Sequence, residues 1–276
     1  MSEIDERVMK MSNKVELVVF DWAGTTIDYG CMAPLAVFEK ILENKKIHLS
    51  REEILKPMGM GKRDHIKTLL QTESATKQWS DIYEKNWTED DIDEMFAQFN
   101  DTLLMVLSEY CEPINDVLET IRELKKMGLH IGTTTGYTRE MMDIVEPGAR
   151  AKGYEPEYVV TSEMTDGYGR PYPYMVFENM RHFTVKSTKN VVKVGDTVTD
   201  IKEGKNAGVW SIGVVEGSSA AGLSPEMAER LSEMEREVYF MEAEKKMKEA
   251  GADFVIRRME ELPTVINKIN KLMEAE

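Results

Sequence analysis

Asp21 closes a short apolar run, Val15-Glu16-Leu17-Val18-Val19-Phe20, and opens the glycine-containing turn Trp22-Ala23-Gly24-Thr25-Thr26. A carboxylate at a strand end can attack phosphorus or hold a hard cation, although a single Asp there is more often a turn former. Groups at later strand ends change that weighing. Thr133-Thr134-Thr135-Gly136 offers hydroxyls and pliant backbone to phosphate oxygens. Gly169-Arg170-Pro171 offers a guanidinium fork, and Gly195-Asp196-Thr197-Val198-Thr199-Asp200 offers two carboxylates four residues apart. A carboxylate nucleophile, a hydroxyl, a fixed cation and a second acidic pair together suit phosphoryl transfer assisted by Mg²⁺, which favours a few carboxylates plus substrate oxygens.

A second cluster lies apart from these, in Pro57-Met58-Gly59-Met60-Gly61-Lys62-Arg63-Asp64-His65. An amine that condenses with a carbonyl makes an iminium, which accepts the electron pair released when a bond to a neighbouring carbon breaks. Such a lysine needs a lowered pKa, from desolvation or from a nearby cation such as Arg63. A phosphate-binding loop is excluded, because Lys56 stands where that motif needs Gly and Arg63 where it needs Ser or Thr.

The elements that must position these groups are short apolar strands separated by helical patterns. Residues 129–134, 158–161, 190–194, 209–214 and 253–256 read as further strands, and 115–127 reads as a helix closed by Gly128. The alternation predicts an α/β fold, a Rossmann-like parallel sheet with ligands beyond the carboxyl ends of its strands. Residues 30–110 break the rhythm with helical patterns at 34–44, 64–72 and 91–110. In the last of these, Ile92, Met95, Phe96, Phe99, Leu103, Val106 and Leu107 share one stripe. We therefore expect a catalytic core from residues 1–29 and 111–276, with an all-helical cap, 30–110, inserted after the first strand. Residues 226–249, mixed Glu and Lys, predict a solvated helix face.

Fifty acidic residues against 35 basic give a net charge of −15 over 276 residues, a field that repels nucleic acid phosphates. No apolar run approaches the roughly 18 residues of a membrane span. The two cysteines, Cys31 and Cys111, make no disulfide framework or zinc spacing. With a polar N-terminal stretch and no visible leader, a cytoplasmic protein is the expectation.

Five stretches in order carry a resemblance: Phe20-Asp21-Trp22-Ala23-Gly24-Thr25-Thr26, Asp28-Tyr29-Gly30-Cys31, Thr134-Thr135-Gly136-Tyr137-Thr138-Arg139-Glu140-Met141-Met142-Asp143, Gly169-Arg170-Pro171-Tyr172-Pro173 and Val194-Gly195-Asp196-Thr197. With the helical insertion, residues 15–215 resemble the haloacid dehalogenase superfamily and, within it, the family of phosphonoacetaldehyde hydrolases. The resemblance implies Asp21 as the nucleophile and Thr135 as the phosphate-binding hydroxyl, with Thr134 as the alternative and Gly136 beside them. It implies Arg170 in place of the superfamily's usual lysine. Mg²⁺ would be held by Asp21, Asp196 and the Ala23 carbonyl, with Asp200 orienting metal-bound water or Arg170. Lys62 would form the imine with phosphonoacetaldehyde, His65 and Tyr137 would carry protons, Cys31 and Met58 would wall the pocket, and a homodimer would form through the cap. Met60-Gly61 stands where the family more often has bulky residues.

One departure separates this chain from most phosphatases of the superfamily. They carry a second Asp two residues after the nucleophile, where this chain has Ala23. Loss of that general acid removes a factor typically of about 10²–10⁴ in rate from an ester phosphatase. The alternatives are therefore a phosphate ester phosphatase or phosphomutase, which Ala23 disfavours, and a catalytically dead phosphate binder, which the retained Asp21 and Asp196 disfavour.

Overall fold

The computed structural model describes residues 14–58 and 60–275. The first strand, β1 (Leu17–Phe20), is wholly buried, as a strand covered by helices on both faces must be. A helical block follows: α1 (Met32–Asn44), α2 (Arg51–Leu55), α3 (Lys62–Leu70), α4 (Glu73–Tyr83) and α5 (Glu89–Val106). Then come α6 (Val117–Lys126), β2 (His130–Thr134), α7 (Arg139–Ala151), β3 (Tyr158–Val160), α8 (Tyr174–His182), β4 (Val191–Gly195) and α9 (Val198–Ala207). The chain ends with β5 (Trp210–Val214), α10 (Pro225–Arg230), α11 (Glu233–Glu249), β6 (Phe254–Ile256) and α12 (Leu262–Ala275).

The strands form one six-stranded parallel sheet in the order β3-β2-β1-β4-β5-β6. All six expected strands are present, with ends moved by a residue or two, which is the precision that hydrophobic patterning allows. The chain runs outward from β1 through β2 to β3, then returns to lay β4 on the other side of β1. Phe20 is in register with Thr133 on β2 and Val194 on β4, so Asp21 lies level with the last residues of those strands, Thr134 and Gly195, at the sheet's topological switch point.

Among the described residues of the block between β1 and β2 there is no strand. Asp28 starts α1: the Met32 and Ala33 N–H groups donate to its two carboxylate oxygens at 2.9 and 3.1 Å. In α5, Ile92, Met95, Phe99 and Leu103 are buried, as is Leu107 just past its end, with Phe96 and Val106 partly so, and α5 packs on α1 and α3. The apolar stripe thus packs within the helical block. The acidic tract departs from expectation, since it divides into α10 and α11 at Leu231, where Ser232 caps the second helix. Only Ala243 and Met247 of α11 are buried, and Met234 is 82% exposed, so this helix is largely solvated, as its charges require.

Candidate active site

Asp21, Ala23, Cys31, Met58, Lys62, Thr135, Gly136, Tyr137, Arg170 and Thr197 line one cavity where the helical block meets the sheet's carboxyl end. Its free volume is about 20 Å³, room for about one water. Beside it, Thr199 Oγ1 donates to the Met58 carbonyl at 3.4 Å, a contact that ties the helical block to α9.

Arg170 organises the sheet side. Its Nη2 donates to Asp21 Oδ1 at 2.6 Å, to the Thr134 carbonyl at 2.6 Å and to Thr134 Oγ1 at 2.9 Å. Nη1 meets Asp200 Oδ1 at 2.9 Å and Nε meets Glu203 at 3.1 Å. Burial works against the guanidinium charge, but Asp200, Asp21 and Glu203 together hold its pKa above the ordinary value. Asp200 is pinned by Arg170, by buried Lys193 at 2.9 Å and by the capping box with Thr197. Against the burial that raises it, those two cations pull its carboxyl below the usual range. Of the two roles open to Asp200, contact with Arg170 is the one made here. Thr135 lines the cavity and its Oγ1 accepts from the Tyr137 N–H at 3.0 Å, whereas the Thr134 hydroxyl turns away to Glu203.

Asp21, Asp196 and Asp200 can each bring a carboxylate oxygen within 4.8 Å of the others. Thr25 Oγ1 donates to Asp196 Oδ1 at 2.9 Å, and Ser219 donates to Oδ2 through its N–H at 2.8 Å and its hydroxyl at 2.6 Å. Gly24 leaves the room for this, since a Cβ there would stand 2.6 Å from Asp196 Oδ2. Burial, with Asp21 and Asp200 as negative neighbours, pushes the Asp196 carboxyl up to about 8. A buried carboxylate beside two others, with no cation of its own and fixed by neutral donors on its flanks, fits a hard divalent cation.

Lys62 comes from the other side, as the first residue of α3, and is 6% exposed. Its Nζ lies 5.3 Å from the Tyr137 ring centre and 5.9 Å from that of Phe38. Burial lowers its pKa, Cys31 and Asp21 oppose that, and Arg170 adds to it. The expected cation, Arg63, is not the neighbour: it turns outward to Glu89 and Asp93 at 2.9 and 2.6 Å. Residues one apart on a helix point about 100° apart, so Lys62 inward places Arg63 outward. His65, on the same face as Lys62, is wholly buried against Phe38, with Nε2 2.8 Å from the Ile54 carbonyl. Burial, with Lys62 adding, pushes it down to about 3, so it is neutral near pH 7. That contact assigns the proton to Nε2 and leaves Nδ1, which has no partner among the described residues, as an acceptor. Burial raises the Cys31 thiol and the Tyr137 hydroxyl well above their usual values, so both stay protonated. Gly59 of the lysine turn lies outside the described residues.

Five supporting residues have no role in the sequence reading: Thr25 and Asp28, which lie inside its motif stretches, and Ser219, Lys193 and Glu203, which lie outside them. Lys193 carried a signal, a charge within the apolar run Val191-Val192-Lys193-Val194. Asp28 is buried 5% exposed behind α1, and burial, opposed by its bonds to Ala33 and Met32, lifts it to about 7. Its folded pKa exceeds the unfolded value of 3.8, so the folded state holds the extra proton between pH 4 and pH 7 and stability falls as pH rises through that window. Asp28→Asn removes this component, so denaturant titrations from pH 4 to pH 8 should show a shallower decline than wild type. An equal or steeper decline contradicts the assignment.

An α/β sheet with carboxylates, a hydroxyl and an arginine at its switch point defines a class: residues 15–208 match the haloacid dehalogenase-like hydrolase family, to which the chain belongs. It is 44% identical over 258 residues to the phosphonoacetaldehyde hydrolase of Bacillus cytotoxicus, covering 94% of this chain and 97% of that one. It is 49% identical over 257 residues, 93% of its length, to the bifunctional phosphonoacetaldehyde hydrolase/aminoethylphosphonate transaminase of Clostridioides difficile, of which it spans 40%. A solved phosphonoacetaldehyde hydrolase-like protein from Oleispira antarctica superposes with a TM-score of 0.89 at 32% identity, covering 94% of both chains. Within the larger class, the chain belongs to the phosphonoacetaldehyde hydrolase family.

Proposed function

We propose that this chain hydrolyses the carbon–phosphorus bond of phosphonoacetaldehyde to acetaldehyde and phosphate, in phosphonate catabolism. The observation that carries the reading is a buried, pKa-lowered Lys62 sharing a cavity with Asp21, in a chain whose ester-protonating position is Ala23. Residues 30–110 serve as a cap that brings the lysine to the core.

The neutral Lys62 amine adds to the aldehyde, one proton is taken up and water leaves, giving an iminium; the same proton is released when the iminium is later hydrolysed. An Asp21 oxygen attacks phosphorus as the C–P bond breaks, and the released electron pair collapses into the iminium to give an enamine. A proton returned to carbon, with the cavity-lining Tyr137 hydroxyl as carrier, restores the iminium; His65, which keeps its proton on the Ile54 carbonyl and does not line the cavity, is not placed to carry it. Water then releases acetaldehyde and the free amine. A second water hydrolyses the aspartyl-phosphate to phosphate and returns Asp21. Arg170 and the Thr135 hydroxyl face the oxygens on phosphorus, where charge is greatest during transfer. Asp21, Asp196 and the Ala23 carbonyl would hold Mg²⁺, which supplies positive charge to those oxygens.

The leaving carbon needs no oxygen acid, so Ala23→Asp should leave phosphonate cleavage unchanged or lower; a gain would contradict the electron-sink account. The activity itself is tested by incubating protein, Mg²⁺ and phosphonoacetaldehyde and measuring phosphate and acetaldehyde together. Equal amounts of both support the reading. Phosphate from simple esters alone, undiminished in Lys62→Ala, would hand the chain to the ester phosphatases or phosphomutases.

A homodimer through the cap and a cytoplasmic location complete the reading. No helix among the described residues is long and apolar enough to cross a membrane. Sedimentation equilibrium tests the dimer, and a single species of monomer mass at micromolar concentration would contradict it.

A further inference from the structure

Glu203 and Lys193 are both wholly buried. Removing a lysine and a glutamate from water is costly unless each gains something specific from its partners. Their contacts converge on Arg170. Glu203 Oε2 accepts from Arg170 Nε at 3.1 Å and from Thr134 Oγ1 at 3.0 Å, and it pairs with Lys193 at 3.5 Å. Lys193 also pairs with Asp200 at 2.9 Å, so it lies between the two carboxylates that grip the guanidinium and offsets their repulsion. Thr134 Oγ1, donating to Glu203, in turn accepts from Arg170 Nη2, the nitrogen that meets Asp21.

The backbone is shaped for this arrangement. Beside Glu203, a Cβ at Gly204 would stand 2.8 Å from Ser211 Oγ and 3.1 Å from Lys193 Cβ, so glycine lets α9 settle closely on β4 and β5. Arg170 has no helix or strand of its own to hold it, since it extends from the turn between β3 and α8. Its direction must therefore come from its partners. Glu203 holds the Nε edge and Asp200 holds Nη1, which leaves Nη2 aimed at Asp21.

We propose that Glu203, with Lys193 as its counter-ion, is a positioning residue that fixes Arg170 against Asp21 and acts on the reaction only through that arginine. This rests on the function proposed above, in which Arg170 faces the oxygens on phosphorus. Glu203 does not itself line the cavity and, of the lining residues, bonds to Arg170, so its effect on turnover must vanish once Arg170 is altered.

The test is a double-mutant cycle on the Mg²⁺-supplied protein with Glu203→Gln, Arg170→Lys and the double variant. Two quantities are read: kcat and KM with phosphonoacetaldehyde, and orthophosphate affinity by calorimetry. Glu203→Gln should lower kcat roughly 10- to 100-fold, the scale of a misplaced catalytic group, with KM changed less than about threefold. In the Arg170→Lys background the same substitution should change kcat and phosphate affinity by no more than about twofold. Wild-type kcat in Glu203→Gln, or losses that multiply in the double variant, would overturn the proposal and leave Glu203 a purely structural ion. Should Glu203→Gln fail to fold, Glu203→Gln/Lys193→Met removes both charges of the pair and is held to the same criterion. A wild-type chain that binds phosphate but does not cleave phosphonoacetaldehyde sinks the proposed activity alone, and the phosphate-affinity cycle then decides the positioning role. A wild-type chain that does not bind phosphate overturns the positioning role as well.

Discussion

Lys62→Arg should lower phosphonoacetaldehyde turnover by on the order of 10⁴-fold or more, the scale seen when a covalent catalytic residue is removed. A guanidinium keeps the charge but cannot lose its proton near neutral pH, so no imine forms. Lys62→Met separates chemistry from folding. Lys62 is 6% exposed, with burial lowering its pKa, so its charged form is poorly accommodated and the site is strained for function. Replacing it with an apolar side chain of similar length should leave the melting temperature unchanged or raised while turnover is lost. Near-normal turnover in Lys62→Arg would remove the Schiff base from the mechanism. A collapse of the fold in Lys62→Met would show instead that the lysine holds the helical block together.

Asp21→Asn should abolish phosphate release, again by on the order of 10⁴-fold or more, while sparing the first half of the reaction. The carboxamide is close in shape but is a poor nucleophile, and Arg170 loses one of its three carboxylate partners while keeping Asp200 and Glu203. Lys62 comes from α3 in the helical block and needs nothing from Asp21 to condense with the aldehyde. The variant should therefore accumulate the iminium of the intact phosphonate, and reduction should leave the phosphono group attached to Lys62. Phosphate release at wild-type rate would exclude Asp21 as nucleophile. Absence of a reducible adduct would show that imine formation depends on the carboxylate.

The residues that line the candidate site on the sheet side were legible because they sit in contiguous stretches at strand ends. Phe20-Asp21 and Gly195-Asp196 each join a buried strand to a polar turn, and that transition is visible without a structure. The strands were legible for the same reason, since a parallel sheet covered on both faces leaves near-continuous apolar runs. What stayed hidden depends on contacts far apart in sequence. Thr25 and Ser219 flank Asp196 from 171 and 23 residues away. Arg63 is adjacent to Lys62 in the chain yet faces the opposite way, and the cation that reaches the amine is Arg170. The short α2 also escaped periodicity, because five residues are too few to show a stripe. Its signal was the Ser50–Glu53 capping box instead. The helical block and the carboxyl end of the sheet meet at the cavity, and no local pattern in either segment encodes that meeting.

The central claim is that a lysine of the helical block and an aspartate of the sheet act on one substrate. Borohydride trapping during turnover of phosphonoacetaldehyde with Mg²⁺, followed by peptide mapping, tests it most directly, because reduction converts a transient imine into a stable amine on the residue that formed it. The account predicts a two-carbon adduct on Lys62 in the wild-type chain, free of phosphorus and accompanied by released phosphate. Phosphate release with an unmodified Lys62, or an adduct on any other lysine, would contradict it.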